Sequence, residues 1–68
     1  MNKFAQRVKE LRLEKGYSIP QFSERAKIPQ QTVHNWERGE RLPGIDSIIK
    51  LCLFFGCTAD YLIGLKDE

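Results

Sequence analysis

The sequence predicts an all-α fold built from five short helices. Apolar residues recur at steps of three and four along most of the 68 residues, and no segment alternates with period two over a useful length. Glycines stand just past four of the helical stretches, at Gly16, Gly39, Gly56 and Gly64, where a left-handed residue closes a helix. Ser18 with Gln21, and Thr58, stand where helices begin and offer oxygens to the first free N–H groups.

The first helix is predicted over Lys3 to Lys15, with Phe4, Val8 and Leu11 on one face and Leu13 off that stripe. The second starts at Ser18 and carries Pro20 in its first turn, where a missing N–H costs nothing; Phe22 and Ala26 turn inward. Lys27-Ile28-Pro29 breaks the chain, with Ile28 plugging the core and Pro29 pre-setting the backbone of the next helix. The third helix runs from about Gln30 to Arg38, with Val33 and Trp36 inward. A polar loop, Glu40 to Gly44, leads to a fourth helix from about Ile45 to Phe55. Its inward face is read as Ile48, Cys52 and Phe55, with Ile45, Ile49 and Leu51 beside it. Thr58 caps a fifth helix, Ala59 to Ile63. Lys66-Asp67-Glu68 is read as a frayed tail.

Length and composition narrow the function. Residues 1–68 make one domain, whose core supplies only about 3–5 kcal/mol. No apolar run approaches the ~20 residues of a membrane span, and the N-terminus lacks the apolar segment of a signal peptide, which points to the cytoplasm. Cys52 and Cys57 lie five apart across a helix end. A disulfide there would be strained, and one histidine is too few for a metal site, so both are read as small apolar residues in a reducing compartment. No cofactor is implied. No catalytic triad, phosphate loop or carboxylate pair is present, which argues against an enzyme. The net charge is only +2, but it is unevenly spread. Lys3, Arg7, Lys9, Arg12 and Lys15 oppose Glu10 and Glu14 at one end, whereas Asp46, Asp60, Asp67 and Glu68 outnumber Lys50 and Lys66 at the other. The segment with the helix pair around the three-residue break carries Arg25, Lys27, Arg38 and Arg41 against Glu24, Glu37 and Glu40, and a basic face favours a polyanion.

The third helix carries the chemistry. Gln30, Gln31, His34 and Asn35 are left on its outer side. Carboxamides pair a donor with an acceptor, the pattern that base edges present in the major groove, adenine above all. Trp36 shares a stripe with Val33 and is read as core, not as a stacking platform. These features point to double-stranded DNA as the partner.

Three motifs carry a resemblance over most of the chain, from about Phe4 to Leu65. They are Arg7-Val8-Lys9-Glu10-Leu11-Arg12 followed by Gly16-Tyr17-Ser18, then Val33 to Gly39 followed by Pro43, then Leu51 to Gly64. Their order and spacing resemble the Xre/Cro family of helix-turn-helix regulators and the DNA-binding domains of lambdoid phage repressors. The resemblance implies a five-helix lambda-repressor-like domain with its helix-turn-helix unit at about 18–38 and the third helix in the major groove. It assigns base contacts to Gln30, Gln31, His34 and Asn35. It assigns phosphate contacts to Arg38 and Arg41, and to the backbone N–H groups of Ile19 and Gln21. Arg12 and Glu37 fall where the family places an ion pair between the first and third helices.

The chain departs from the family at three positions. Ile19 replaces a usual Gln, Lys27 a usual Gly, and Pro29 a usual Ser or Thr cap. Leu53 and Phe54 stand where members often carry polar or small residues, so a homodimer is expected through Leu53, Phe54, Tyr61, Ile63 and Leu65. The expected function is a sequence-specific transcriptional regulator, a repressor that binds a two-fold symmetric operator as a dimer. The alternatives are an antitoxin that also binds a toxin, or a protein–protein module on the same scaffold. A toxin or sensor as further partner is left open.

Overall fold

A computed structural model describes residues 2–68. The chain forms α1 (Lys3–Glu14), α2 (Ile19–Ala26), α3 (Gln30–Glu37), α4 (Ile45–Phe55) and α5 (Ala59–Ile63), and the described residues contain no strand. The all-α, five-helix expectation is met, with helix ends within a residue of those read from sequence. Among the described residues, no helix is long and apolar enough to cross a membrane.

Local chemistry sets most boundaries. Ser18 Oγ accepts the Gln21 N–H at 3.2 Å while Gln21 Oε1 accepts the Ser18 N–H at 2.9 Å, so the capping box at α2 is closed on both sides. Thr58 Oγ1 accepts the Tyr61 N–H at 3.1 Å and starts α5. Asn2 does the same for α1, its Oδ1 accepting from Ala5 at 2.7 Å. Pro29 gives α3 no side-chain cap.

The turn between α2 and α3 is strained at one residue. Lys27 adopts φ 57° and ψ 49°, alone among non-glycine residues described in having positive φ. The left-handed conformation costs an L-residue about 1–2 kcal/mol. Three contacts hold it. The Ile28 N–H donates to the Ser23 carbonyl at 3.0 Å, the Ser23 hydroxyl donates to the Ile28 carbonyl, and Lys50 Nζ donates to the Lys27 carbonyl at 3.0 Å. Ile28 is thereby driven into the core, as its place in the break implied.

The core joins Phe4 and Val8 of α1, Phe22 of α2, Val33 and Trp36 of α3, Leu51 of α4 and Leu62 of α5 around Ile28. Phe4 meets Trp36 edge to face at 5.6 Å, and Phe22 stacks on Phe55 at 5.4 Å.

Three expectations are corrected here. The inward face of α4 is rotated from the one expected. Leu51 is fully buried, Ile48, Cys52, Phe54 and Phe55 are half-buried, and Ile45, Ile49 and Leu53 stand outside. The cause is Phe22, against which both Phe54 and Phe55 pack, at 5.6 and 5.4 Å. Phe54 is thus no exposed partner of Leu53; it faces inward and also meets Tyr17 at 6.3 Å. The third correction concerns the tail. Buried Arg7 lies 4.2 Å from the centre of the Tyr61 ring, donates to the Tyr61 carbonyl and to the Lys66 carbonyl (2.6 Å), and meets Asp67 at 3.3 Å. Lys66 and Asp67 are therefore tied to α1. Cys52 and Cys57 are half-buried thiols packed on the core, and burial, with Cys52 as neighbour, pushes the Cys57 thiol up from its ordinary pKa.

Candidate nucleic-acid interface

One residue pair beneath α3 fixes the helix to the rest of the molecule. Arg12 Nε donates to Glu37 Oε2 at 2.7 Å and its Nη2 to Oε1 at 3.0 Å, a two-pronged bond between nearly buried side chains. The remaining prong, Nη1, reaches the Tyr17 carbonyl at 2.6 Å. One guanidinium thus joins α1, the α1–α2 turn and the last residue of α3. A planar fork of this kind constrains angle as well as distance, so the pair acts as a bracket that sets the tilt of α3. With Val33 and Trp36, Glu37 completes the dry side of the helix.

The wet side is a continuous arc. At 3.6 residues per turn, Gln30, His34 and Arg38 form one row, and Gln31 and Asn35 the next. Gln30, Gln31 and Arg38 are exposed, and His34 and Asn35 half-exposed. The sequence-predicted base-contact residues are therefore brought together on one surface. Gln31 Nε2 donates to Asn35 Oδ1 at 3.0 Å, and Arg38 Nη2 donates to the same oxygen at 3.4 Å. This network orients Gln31 without exhausting it. Its carbonyl oxygen and second amide hydrogen bond to none of the described residues, and together they match the N6 donor and N7 acceptor of adenine.

The expected phosphate contacts fare unequally. Arg41 makes no ion pair among the described residues and lies beside the arc, lining a cleft of about 220 Å³ with Thr32, Asn35 and Ser47. Arg38 Nε is paired with Glu40 at 2.8 Å across solvent, a contact worth at most about 1 kcal/mol that a phosphate can displace. The Gln21 N–H donates to Ser18 Oγ in the capping box at 3.2 Å. Ile19 keeps its N–H at the first turn, while its side chain packs half-buried against the core. The usual donor at that position has become a packing residue. Thr32 and Ser47 were missed; they line the same cleft as Arg41, which lies between α3 and the start of α4.

Of the expected dimer residues, Leu53 and Ile63 line separate grooves. Leu53 is 80 % exposed beside Arg25 and Lys27, at the α2 end of α4. Ile63 is exposed in a separate groove with Lys3, Leu42, Pro43 and Ile48. Leu65 is exposed two residues further on, whereas Tyr61 lies half-buried under Arg7.

The whole arrangement is similar to that of known regulators. The helix-turn-helix family matches residues 8–62, from Val8 in α1 to Leu62 in α5. The HTH-type transcriptional regulator ImmR of Bacillus subtilis is 37% identical over 62 residues, covering 91% of this chain and 48% of its own length. An uncharacterised HTH-type transcriptional regulator of the same organism, YgzD, is 32% identical over 62 residues, with 94% of its length covered. The chain thus spans about half the length of ImmR and nearly all of YgzD. Among solved structures, a transcriptional regulator from Listeria innocua superposes with a TM-score of 0.84 at 29% identity, over 100% of this chain and 64% of that one. SinR, a master regulator for biofilm formation solved in complex with DNA, superposes with a TM-score of 0.79 at 28% identity, over 87% of this chain and 95% of that one. With its five helices, its bracketed third helix and this span of matching residues, the chain belongs to the Xre-like helix-turn-helix family of transcriptional regulators.

Proposed function

We propose that the chain is the DNA-reading part of a cytoplasmic repressor, with α3 seated in the major groove of a two-fold symmetric operator. One observation carries this reading: the polar arc from Gln30 to Arg38 is exposed, preorganised by Gln31–Asn35 bonding, and mounted on the buried Arg12–Glu37 bracket. Gln31 and Gln30 meet base edges near the start of the helix, and Asn35 and His34 extend the contact. Arg41 and Arg38 hold flanking phosphates, helped by the Ile19 N–H. SinR, a structural neighbour, was solved in complex with DNA, which supports DNA as the partner.

Repression by such a domain needs only occupancy of a promoter. Two copies would read half-sites one helical turn apart, about 34–36 Å. The apolar groove of Leu42, Pro43, Ile48 and Ile63 is the surface best suited to join them, because among the described residues its only charged lining residue is Lys3, which lies 3.7 Å from Asp67. Leu53, placed elsewhere, is not part of that surface. Selection from random duplex oligonucleotides with the purified chain tests the reading. A two-fold symmetric consensus is expected, and Leu42→Glu, at an exposed position, should reduce it to half-sites. Enrichment of no sequence over the starting pool would overturn the proposal.

A further inference from the structure

The outer face of α4 carries an apolar ridge that neither the DNA reading nor the dimer groove uses. Ile49 is 54% and Leu53 80% exposed, one turn apart, so both stand on the same ridge. They form one wall of an open groove of about 520 Å³ whose other wall is the C-terminal turn of α2. The charges around it are one-sided. Arg25, Lys27 and Lys50 line the groove against a single acid, Asp46. Lys27 is held there by its left-handed backbone, and Lys50 is fixed across the groove by its bond to the Lys27 carbonyl.

We propose that this groove docks an amphipathic helix of another protein, one that presents apolar anchors to Ile49 and Leu53 and carboxylates to Arg25, Lys27 and Lys50. The shape is that of helix-in-groove recognition, in which side chains spaced by three and four fill an apolar trough. Charge selects the occupant. A second copy of this chain would set the same basic rim against itself across a two-fold axis, and like charges so juxtaposed are disfavoured. Nucleic acid would satisfy the rim but leave the Ile49–Leu53 ridge without apolar cover. An acidic amphipathic helix satisfies both. The inference is independent of the assignment of α3, because it uses no residue of the reading arc.

The test uses a synthetic amphipathic peptide with leucines at helical spacing and flanking glutamates, titrated into the isotopically labelled chain and followed by two-dimensional NMR. A second peptide replaces every glutamate by lysine. The amides of Arg25, Lys27, Ile49, Lys50 and Leu53 are expected to shift with the acidic peptide and not with the basic one. Leu53→Ser and Arg25→Glu should each weaken binding about tenfold, close to 1.4 kcal/mol. Leu53 is exposed, uncharged and on α4, so Leu53→Ser should leave duplex binding unchanged. Equal binding of the two peptides would overturn the proposal, as would shifts centred on Gln30, Gln31 and Arg41. So would concentration-dependent shifts at Ile49 and Leu53 without peptide, which would mark self-association, or loss of the acidic peptide's shifts on addition of a random-sequence duplex.

Discussion

α3 and α4 each turn a row of side chains away from the core, and the rows differ in the chemistry they leave in water. On α3 the outward residues are carboxamides, an imidazole and an arginine, of which Gln31 and Arg38 both donate to Asn35. They are polar and solvated at little cost. On α4 the outward residues are Ile45, Ile49 and Leu53, which leave apolar surface wet at roughly 25 cal/mol per Å². The anchoring beneath differs too. α3 is fastened by a directional ion pair, α4 by the non-directional packing of Leu51, Phe54 and Phe55. A helix that must be aimed is bracketed by a fork of hydrogen bonds. A helix that only has to fill space is held by rings and branched side chains.

Breaking the bracket gives the largest effect expected from that difference. Glu37→Ala leaves the Arg12 guanidinium buried without its carboxylate, and removal of one member of a buried pair costs about 3–5 kcal/mol. In a domain of this size the loss is comparable to the whole stability, so urea denaturation should find the variant largely unfolded at 25 °C. A midpoint close to that of the parent chain would show that the pair contributes little.

A smaller effect separates the arc from its flank. Arg41→Ala should weaken binding to every duplex alike and reduce the slope of log affinity against log salt by about 0.9, one phosphate contact. Anisotropy titrations at several salt concentrations read this directly. A change confined to one sequence would move Arg41 from phosphate to base contact.

The smallest effect concerns the hinge between α2 and the reading helix. Lys27→Gly relieves the left-handed strain of about 1–2 kcal/mol but adds backbone freedom to the unfolded chain, for a net gain of about 0.5–1 kcal/mol. The thermal midpoint should rise by a few degrees. A lower midpoint would mean that the Lys27 side chain contributes packing that the backbone geometry does not reveal.

Much of this was legible because helix ends are written locally. Ser18 and Gln21 announce α2, Gly56 closes α4, and Thr58 and Gly64 bracket α5, all within a few residues of the atoms they bond. Asn2 carried the same signal for α1, with the spacing to Ala5 that a cap requires. The polar arc of α3 was legible too, because helical periodicity alone separates it from Val33 and Trp36. What escaped depends on distant partners. Nothing near Leu51 says that it is more buried than Ile48, since that is decided by the Phe22 ring pressing on Phe54 and Phe55. Arg7 reads as one of several surface cations until Tyr61 and the Lys66 carbonyl are folded back against it. The engaged N–H of Gln21 follows from the capping box itself, and was predictable from the very residues that set the helix start.

Whether α3 reads bases through Gln31 is decided by binding of Gln31→Ala to the selected operator and to single-base variants of it. Discrimination should fall by about 1–3 kcal/mol at one base pair in each half-site, with preferences elsewhere unchanged. An equal loss of affinity for all sequences, or none for any, would contradict it.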